Sequence, residues 1–144
     1  MLTKSSWEVK QKMSATPSLG ITNIAQISII VRDVDRATAF YRDVLGLPLL
    51  FTVPGMAFFD CGGVRLMLGR ASSPELDHPS SILYFRVSDI HAGHQGLVAK
   101  GVNIVAPPRL VAPMPTYDLW MTGFQDTEGN IHQLMSEVPR RASA

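Results

Sequence analysis

Residues Gln26 to Val31 alternate along the chain: Ile27, Ile29 and Val31 fall on one side of an extended segment, and Gln26, Ser28 and Ile30 on the other. The first face is apolar and β-branched, as expected of a strand packed on helices. The second is mixed and suits a cavity wall. The period then lengthens to that of a helix. Ala37, Phe40, Tyr41, Val44 and Leu45 form an apolar stripe, Asp33 or Asp35 is placed to cap its start, and Gly46 supplies a left-handed stop. Short strands are predicted around LPLLFTV and MAFFDC, then a Gly62-Gly63 turn and the strand VRLML.

The pattern restarts at ILYFRV, residues 82–87, which mirrors residues 26–31. Asp89 follows Val87 as Asp33 follows Val31, and a helix from Ile90 through Leu97 and Val98 stops at Gly101, the counterpart of Gly46. Strands NIVA, LWMTGF and NIHQLM complete the second copy, with a turn at Glu128-Gly129, and Asp60 to Met67 spans the same step as Asp126 to Gln133. Landmarks repeated in one order define two modules, residues 23–70 and 80–137, in one domain spanning 23–137. Residues 1–22 read as an N-terminal extension, which Trp7 and Val9 either anchor or leave frayed, and 138–144 as a tail. GRASSPELDHPSS is a polar connection between modules. APPRLVAPMPTYD, with Pro107, Pro108, Pro113 and Pro115, reads as a lid or binding loop, or as a stiff connection.

Composition narrows the function classes. A chain of 144 residues, 46% hydrophobic, is the size of one domain with a real core. A net charge of +1 with scattered basic residues gives no reason to expect nucleic acid or an anionic membrane as partner. Cys61 is the sole cysteine, so no intrachain disulfide or cysteine-based zinc site is expected. No apolar run approaches a membrane span, and the N-terminus lacks a signal-type apolar core, so a cytoplasmic, reducing location is expected.

VRDVDRATAFYRDVLGL in the first module and FQDTEGNIHQL in the second carry a resemblance to the vicinal oxygen chelate superfamily. Its members include glyoxalase I, extradiol dioxygenases, fosfomycin-resistance enzymes and bleomycin-binding proteins. The second stretch is a variant of that family's D-P-x-G-N-x-x-E-L ending. The resemblance implies an α+β fold: two tandem βαβββ modules form a curved mixed sheet around a cup-shaped cavity, with helices on the outer face. It also implies a homodimer, with modules packed across a two-fold or exchanged between chains.

Enzymes of the family hold a metal at four equivalent strand positions, which fall here on Gln26, Met67, Ile82 and Gln133. Hard or borderline divalent ions want carboxylate or imidazole. An aliphatic group offers nothing, a thioether suits soft Cu(I) at best, and the family's general-base carboxylate is also missing. No metal or other cofactor is expected. The arginine that several glyoxalase I enzymes use for the thiol's carboxylate is replaced by Ile30, which disfavours glutathione.

Strand alternation adds Ser28, Arg65, Tyr84, Arg86, Ile131 and Met135 to the concave face. Trp120 and Phe124 lie on the strand after the proline-rich segment, and Trp120 joins the candidate ligand-binding set of Gln26, Ser28, Arg65, Met67, Ile82, Tyr84 and Gln133. An apolar and aromatic cup with a few polar groups suits an organic ligand. The opposite reading has Met67, Ile82 and Met135 filling a closed core, with the surface carrying the function. His91 and His94 share one helix face without a third ligand, and His78 sits in the inter-module connection. His132 points away from the cup unless the register slips by one residue. Cys61 has no evident activating base, and Asp126, Glu128 and Gly129 read as turn residues. A metal-free binding protein for an apolar or aromatic small molecule is the leading expectation. The alternative is a lyase, isomerase or dioxygenase with a rearranged or absent metal site.

Overall fold

The computed structural model describes residues 18–140, so Trp7, Val9 and the end of the tail lie outside the described residues. The first module runs β1 (Gln26–Ile30), α1 (Val34–Ala39), β2 (Leu49–Val53), β3 (Met56–Cys61) and β4 (Val64–Gly69). The second runs β5 (Tyr84–Arg86), α2 (Ile90–Ala99), β6 (Ile104–Pro113), β7 (Tyr117–Gln125) and β8 (Ile131–Pro139). The α+β architecture and the doubled βαβββ module stand as expected. The mixed sheet comes in two four-stranded halves, ordered β1-β4-β3-β2 and β5-β8-β7-β6. In each half the first strand lies parallel to the last, because the helix carries the chain across the sheet.

The helix signals read from the sequence take effect as capping contacts. The Asp33 side chain accepts from the Arg36 amide, and Asp89 accepts from those of His91 and Ala92. Gly46 and Gly101 end the helices at φ 72° and 74°, which only glycine adopts freely. One feature departs from ideal helical spacing. After Ala39 the chain widens into a π-helical turn, Phe40–Val44, closed by Leu45 N–H donating to Phe40 O at 3.1 Å. The wider turn lets the consecutive Phe40 and Tyr41 both be buried.

The helix-facing sides of both halves merge into one core. Ile29, Tyr41, Phe59, Leu66 and Leu68 of the first module join Ile90, Leu97, Phe124 and Leu134 of the second. Ile27, Ile29 and Val31 fall on that side as their alternation predicts.

Two expectations need correction. The proline-rich segment is no loop through Pro113: β6 continues to that residue and reverses tightly, with Met114 N–H donating to Tyr117 O at 2.8 Å. β6 tolerates Pro107 and Pro108 because it is an edge strand, where a missing N–H removes no essential ladder bond, and its register with β7 shifts three times. The two β-hairpins also differ. Asp60 sits opposite Arg65 within the first, whereas Asp126 lies in the turn of the second, whose equivalent pair is Gln125 and Ile131. The second turn is therefore one residue longer, and Phe58 and Phe59 correspond to Gly123 and Phe124.

Candidate functional site

The face of the first half-sheet turned away from the helices carries Gln26 and Ser28 on β1, Met56 and Phe58 on β3, and Arg65 and Met67 on β4. Their register sets Gln26 beside Arg65, Ser28 beside Met67, and Phe58 across from Met67. Arg65 Nε donates to Gln26 Oε1 at 2.8 Å, and its guanidinium carbon stands 5.7 Å from the centre of the Phe58 ring. Gln26 Nε2 in turn donates to Met67 Sδ at 3.6 Å. Phe51 stacks on Phe58 with centroids 4.4 Å apart, so β2 extends the aromatic surface.

A cavity of about 420 Å³ opens on this face, with Ser28, Ile30, Met56 and Met67 lining one side. Leu76, His78, Ser80 and Ser81 of the inter-module connection line the other. That connection is held in place by Ile30 N–H donating to Ser80 Oγ at 2.9 Å. The polar stretch between modules is thus a cavity wall as well as a link. The size falls within the range of about 300–1,000 Å³ common for small-molecule sites.

The second half-sheet presents Ile82, Tyr84, Gln133 and Met135 in the equivalent places. Tyr84 pairs with Gln133, and Ile82 and Tyr84 are half exposed. Arg86 is paired with Glu137 at 2.9 Å. The Gln133 amide lies over Gly123, where an added Cβ would come within 3.2 Å of Nε2. Gln133 Oε1 is buried with no hydrogen-bond donor among the described residues. The structure therefore gathers Gln26, Ser28, Arg65 and Met67 on one half and Ile82, Tyr84 and Gln133 on the other. Of these, Ser28 and Met67 line the cavity, Gln26 and Arg65 are exposed outside its lining, and the second set does not line it.

Trp120 is corrected. It pairs across β7 and β8 with Ser136, on the helix side, and its ring meets His91 edge-on at 5.3 Å. Phe124 is on the same side, fully buried. The signal was available in principle, since both share parity with His132 once the turn length is known. His132 points away from the cup as expected, with no register slip. His91 therefore packs on an indole, and His78 is exposed, its ring nitrogen 3.0 Å from Pro79 O. Among the described residues no group of three or more His, Cys, Asp or Glu is placed to hold a metal ion. Cys61 is half buried, and burial together with the Asp60 charge raises its thiol pKa, the opposite of an activated nucleophile.

The modules are joined by a polar cluster that the sequence did not reveal. Leu83 N–H donates to His132 Nδ1 at 3.3 Å, which leaves the ring proton on Nε2. That N–H points to Tyr41 Oη at 2.8 Å, and the Tyr41 hydroxyl donates to Asp126 Oδ2 at 2.7 Å. Burial first, and then the Asp126 charge, pushes the Tyr41 pKa far above its ordinary value. Burial lowers that of His132, with Asp126 opposing in part. Asp126 also accepts from the Glu128 and Asn130 amides, each at 2.8 Å, which bears out its reading as a turn residue.

Glu128 does more than turn the chain. Its Oε1 accepts from the amides of Arg32 and Asp33 at 3.0 and 2.8 Å, and its Oε2 accepts two N–H groups of Arg36 at 2.9 and 2.8 Å. Burial pushes this carboxylate's pKa up, but the bonds from Asp33, Arg36, Arg32 and Thr127 outweigh it and leave the pKa below the ordinary value. No sequence periodicity marks such a contact, because its partners are over ninety residues apart.

Among the described residues no helix is long and apolar enough to cross a membrane. The model of the Glyoxalase/Bleomycin resistance protein/Dioxygenase superfamily matches residues 23–134. No curated protein matches significantly. Among solved structures, the chain is similar to TnmS3, an antibiotic binding protein from Streptomyces sp. CB03234. Identity is 25% over 83% of this chain and 99% of that one, with a TM-score of 0.68. A superfamily member from Sphaerobacter thermophilus DSM 20745 is 26% identical over 83% of this chain and all of the other, with a TM-score of 0.67. Lactoylglutathione lyase from Agrobacterium tumefaciens shares the fold at 21% identity and a TM-score of 0.62, over 81% of this chain and 95% of the other.

Proposed function

The chain belongs to the Glyoxalase/Bleomycin resistance protein/Dioxygenase superfamily, and from that premise we propose that it binds a small, mainly apolar or aromatic molecule without a metal. The observation that carries this reading is the cavity of about 420 Å³ lined by Ser28 and Met67, residues expected on the concave face from the family's ligand positions and the strand alternation anchored on them. Methionines and isoleucine supply its apolar wall, and serine hydroxyls supply points of orientation. The antibiotic-binding relative at 25% identity supports a binding role over a catalytic one.

Donor chemistry supports the metal-free part. Gln26 Oε1 already accepts from the Arg65 guanidinium, and Met67 and Ile82 offer no hard ligand. The residues present do not fit a catalytic divalent ion. A homodimer completes the site in this reading: Phe51, Ile82 and Tyr84 leave apolar area open on both half-sheets, which a second copy would cover.

Elemental analysis of the purified full chain tests the proposal, together with phenylnaphthylamine titration before and after chelation. Saturable dye binding at unchanged affinity, with substoichiometric metal, is expected. A stoichiometric divalent ion whose removal abolishes binding would overturn it.

A further inference from the structure

We propose that Arg65 makes the cup selective for organic anions, so that the ligand is an apolar or aromatic body bearing a carboxylate, sulfonate or phenolate oxygen. This rests on the cup reading and specifies its ligand class. Arg65 is exposed beside Gln26, two residues along β4 from the cavity-lining Met67 and on the same face, so a ligand seated on Met67 reaches it by extending past the lining residues.

The geometry is that of a held guanidinium. The Gln26 carbonyl oxygen takes its Nε–H at 2.8 Å, and the Phe58 ring supports it at 5.7 Å. Neither partner carries charge. Asp60 lies directly across β3 and β4, yet its Oδ1 accepts from the Gly63 amide at 3.2 Å, and it forms no ion pair with Arg65. Arg86, on the other half-sheet, is neutralised by Glu137. Among the described residues Arg65 therefore has no carboxylate partner, and its two terminal nitrogens have no acceptor. A planar fork with free N–H groups above an aromatic face matches a bidentate oxyanion attached to an aromatic ring.

Two fluorescent dyes of nearly the same aromatic body separate charge from apolar burial: anilinonaphthalene sulfonate, an anion, and phenylnaphthylamine, its neutral counterpart. The full chain is titrated with each at low ionic strength. The sulfonate is expected to bind about tenfold more tightly. Arg65→Gln should remove that advantage, weakening the sulfonate about tenfold and phenylnaphthylamine much less, and Arg65→Lys should restore part of it. Ser28→Trp, which fills the cavity beside Met67, should weaken both. Equal affinities, or an equal loss of both dyes in Arg65→Gln, would overturn the anion assignment while leaving the cup intact. Binding of both dyes that survives Ser28→Trp would overturn it too, by placing them outside the cup. No saturable binding of either dye would overturn the cup reading itself, and this inference with it.

Discussion

Tyr41→Phe removes a single oxygen from the middle of the inter-module junction. The ring contacts with Phe40 at 5.5 Å and Phe59 at 6.0 Å remain, so packing contributes little to the outcome. Two hydrogen bonds disappear: the one donated to Asp126 Oδ2 and the one accepted from His132 Nε2. Asp126 suffers less, because Asn130 Nδ2 still reaches the same oxygen at 2.9 Å and two amides hold the other. His132 fares worse, since it is fully buried and among the described residues its Nε2–H has no other partner. A bond to a charged acceptor contributes about 1.5–3 kcal/mol, and an orphaned buried donor costs about 1–3 kcal/mol. Allowing for the remaining partners of Asp126, the expected loss is about 3 kcal/mol, a large part of a total of about 5–15 kcal/mol. Urea unfolding should show the midpoint falling at constant slope, and the melting temperature should drop by about 10 °C. His132→Leu copies the first module's Leu66 and removes the other end of the chain. The double variant should then fall short of additivity by about 1 kcal/mol or more. A loss below about 0.5 kcal/mol for Tyr41→Phe, or full additivity, would refute the junction as described.

Glu128→Ala should cost about 2–3 kcal/mol and speed hydrogen exchange at the Arg32 and Asp33 amides, which lose their shared acceptor. The pH dependence follows from His132, whose pKa is depressed in the folded protein. Below its ordinary value of about 6.5 the unfolded chain takes up a proton that the native protein resists, so stability is full above that pH and declines toward acid. His132→Leu should flatten that decline in denaturation midpoints measured across the window. Gly123→Ala pushes only on the flexible end of Gln133 and on Val105, so it should cost under about 1 kcal/mol while displacing the Gln133 amide. The check is the melting temperature beside phenylnaphthylamine affinity, which should stay within about twofold because Gln133 does not line the cavity.

What the sequence disclosed was local. Alternation placed Ile27, Ile29 and Val31 against the helices, Asp33 and Asp89 marked the helix starts, and Gly46 and Gly101 the stops. Each depends on a few neighbouring residues, so each survives without tertiary information. The repeat, read with the family's ligand positions, put Ser28 and Met67 among the candidates for the concave face. What stayed hidden was non-local or depended on a count. Prolines at 107 and 108 argue against a strand unless it is known to be an edge. One extra residue in the second hairpin turn fixed the side on which Trp120 falls. Glu128 and Tyr41 act across modules, and no spacing rule links them to Arg32 or His132. The inter-module connection was legible as polar, but its role as a cavity wall required the fold.

The most direct test of a metal-free cup on this face is the methyl spectrum of methionine-labelled full chain, titrated with phenylnaphthylamine in the presence of chelator. Met56 and Met67 line the cavity, so their methyl signals should shift together along one saturable curve that chelator leaves unchanged. Unmoved Met67 signals at saturating dye, or a shift that vanishes when metal is removed, would contradict the account.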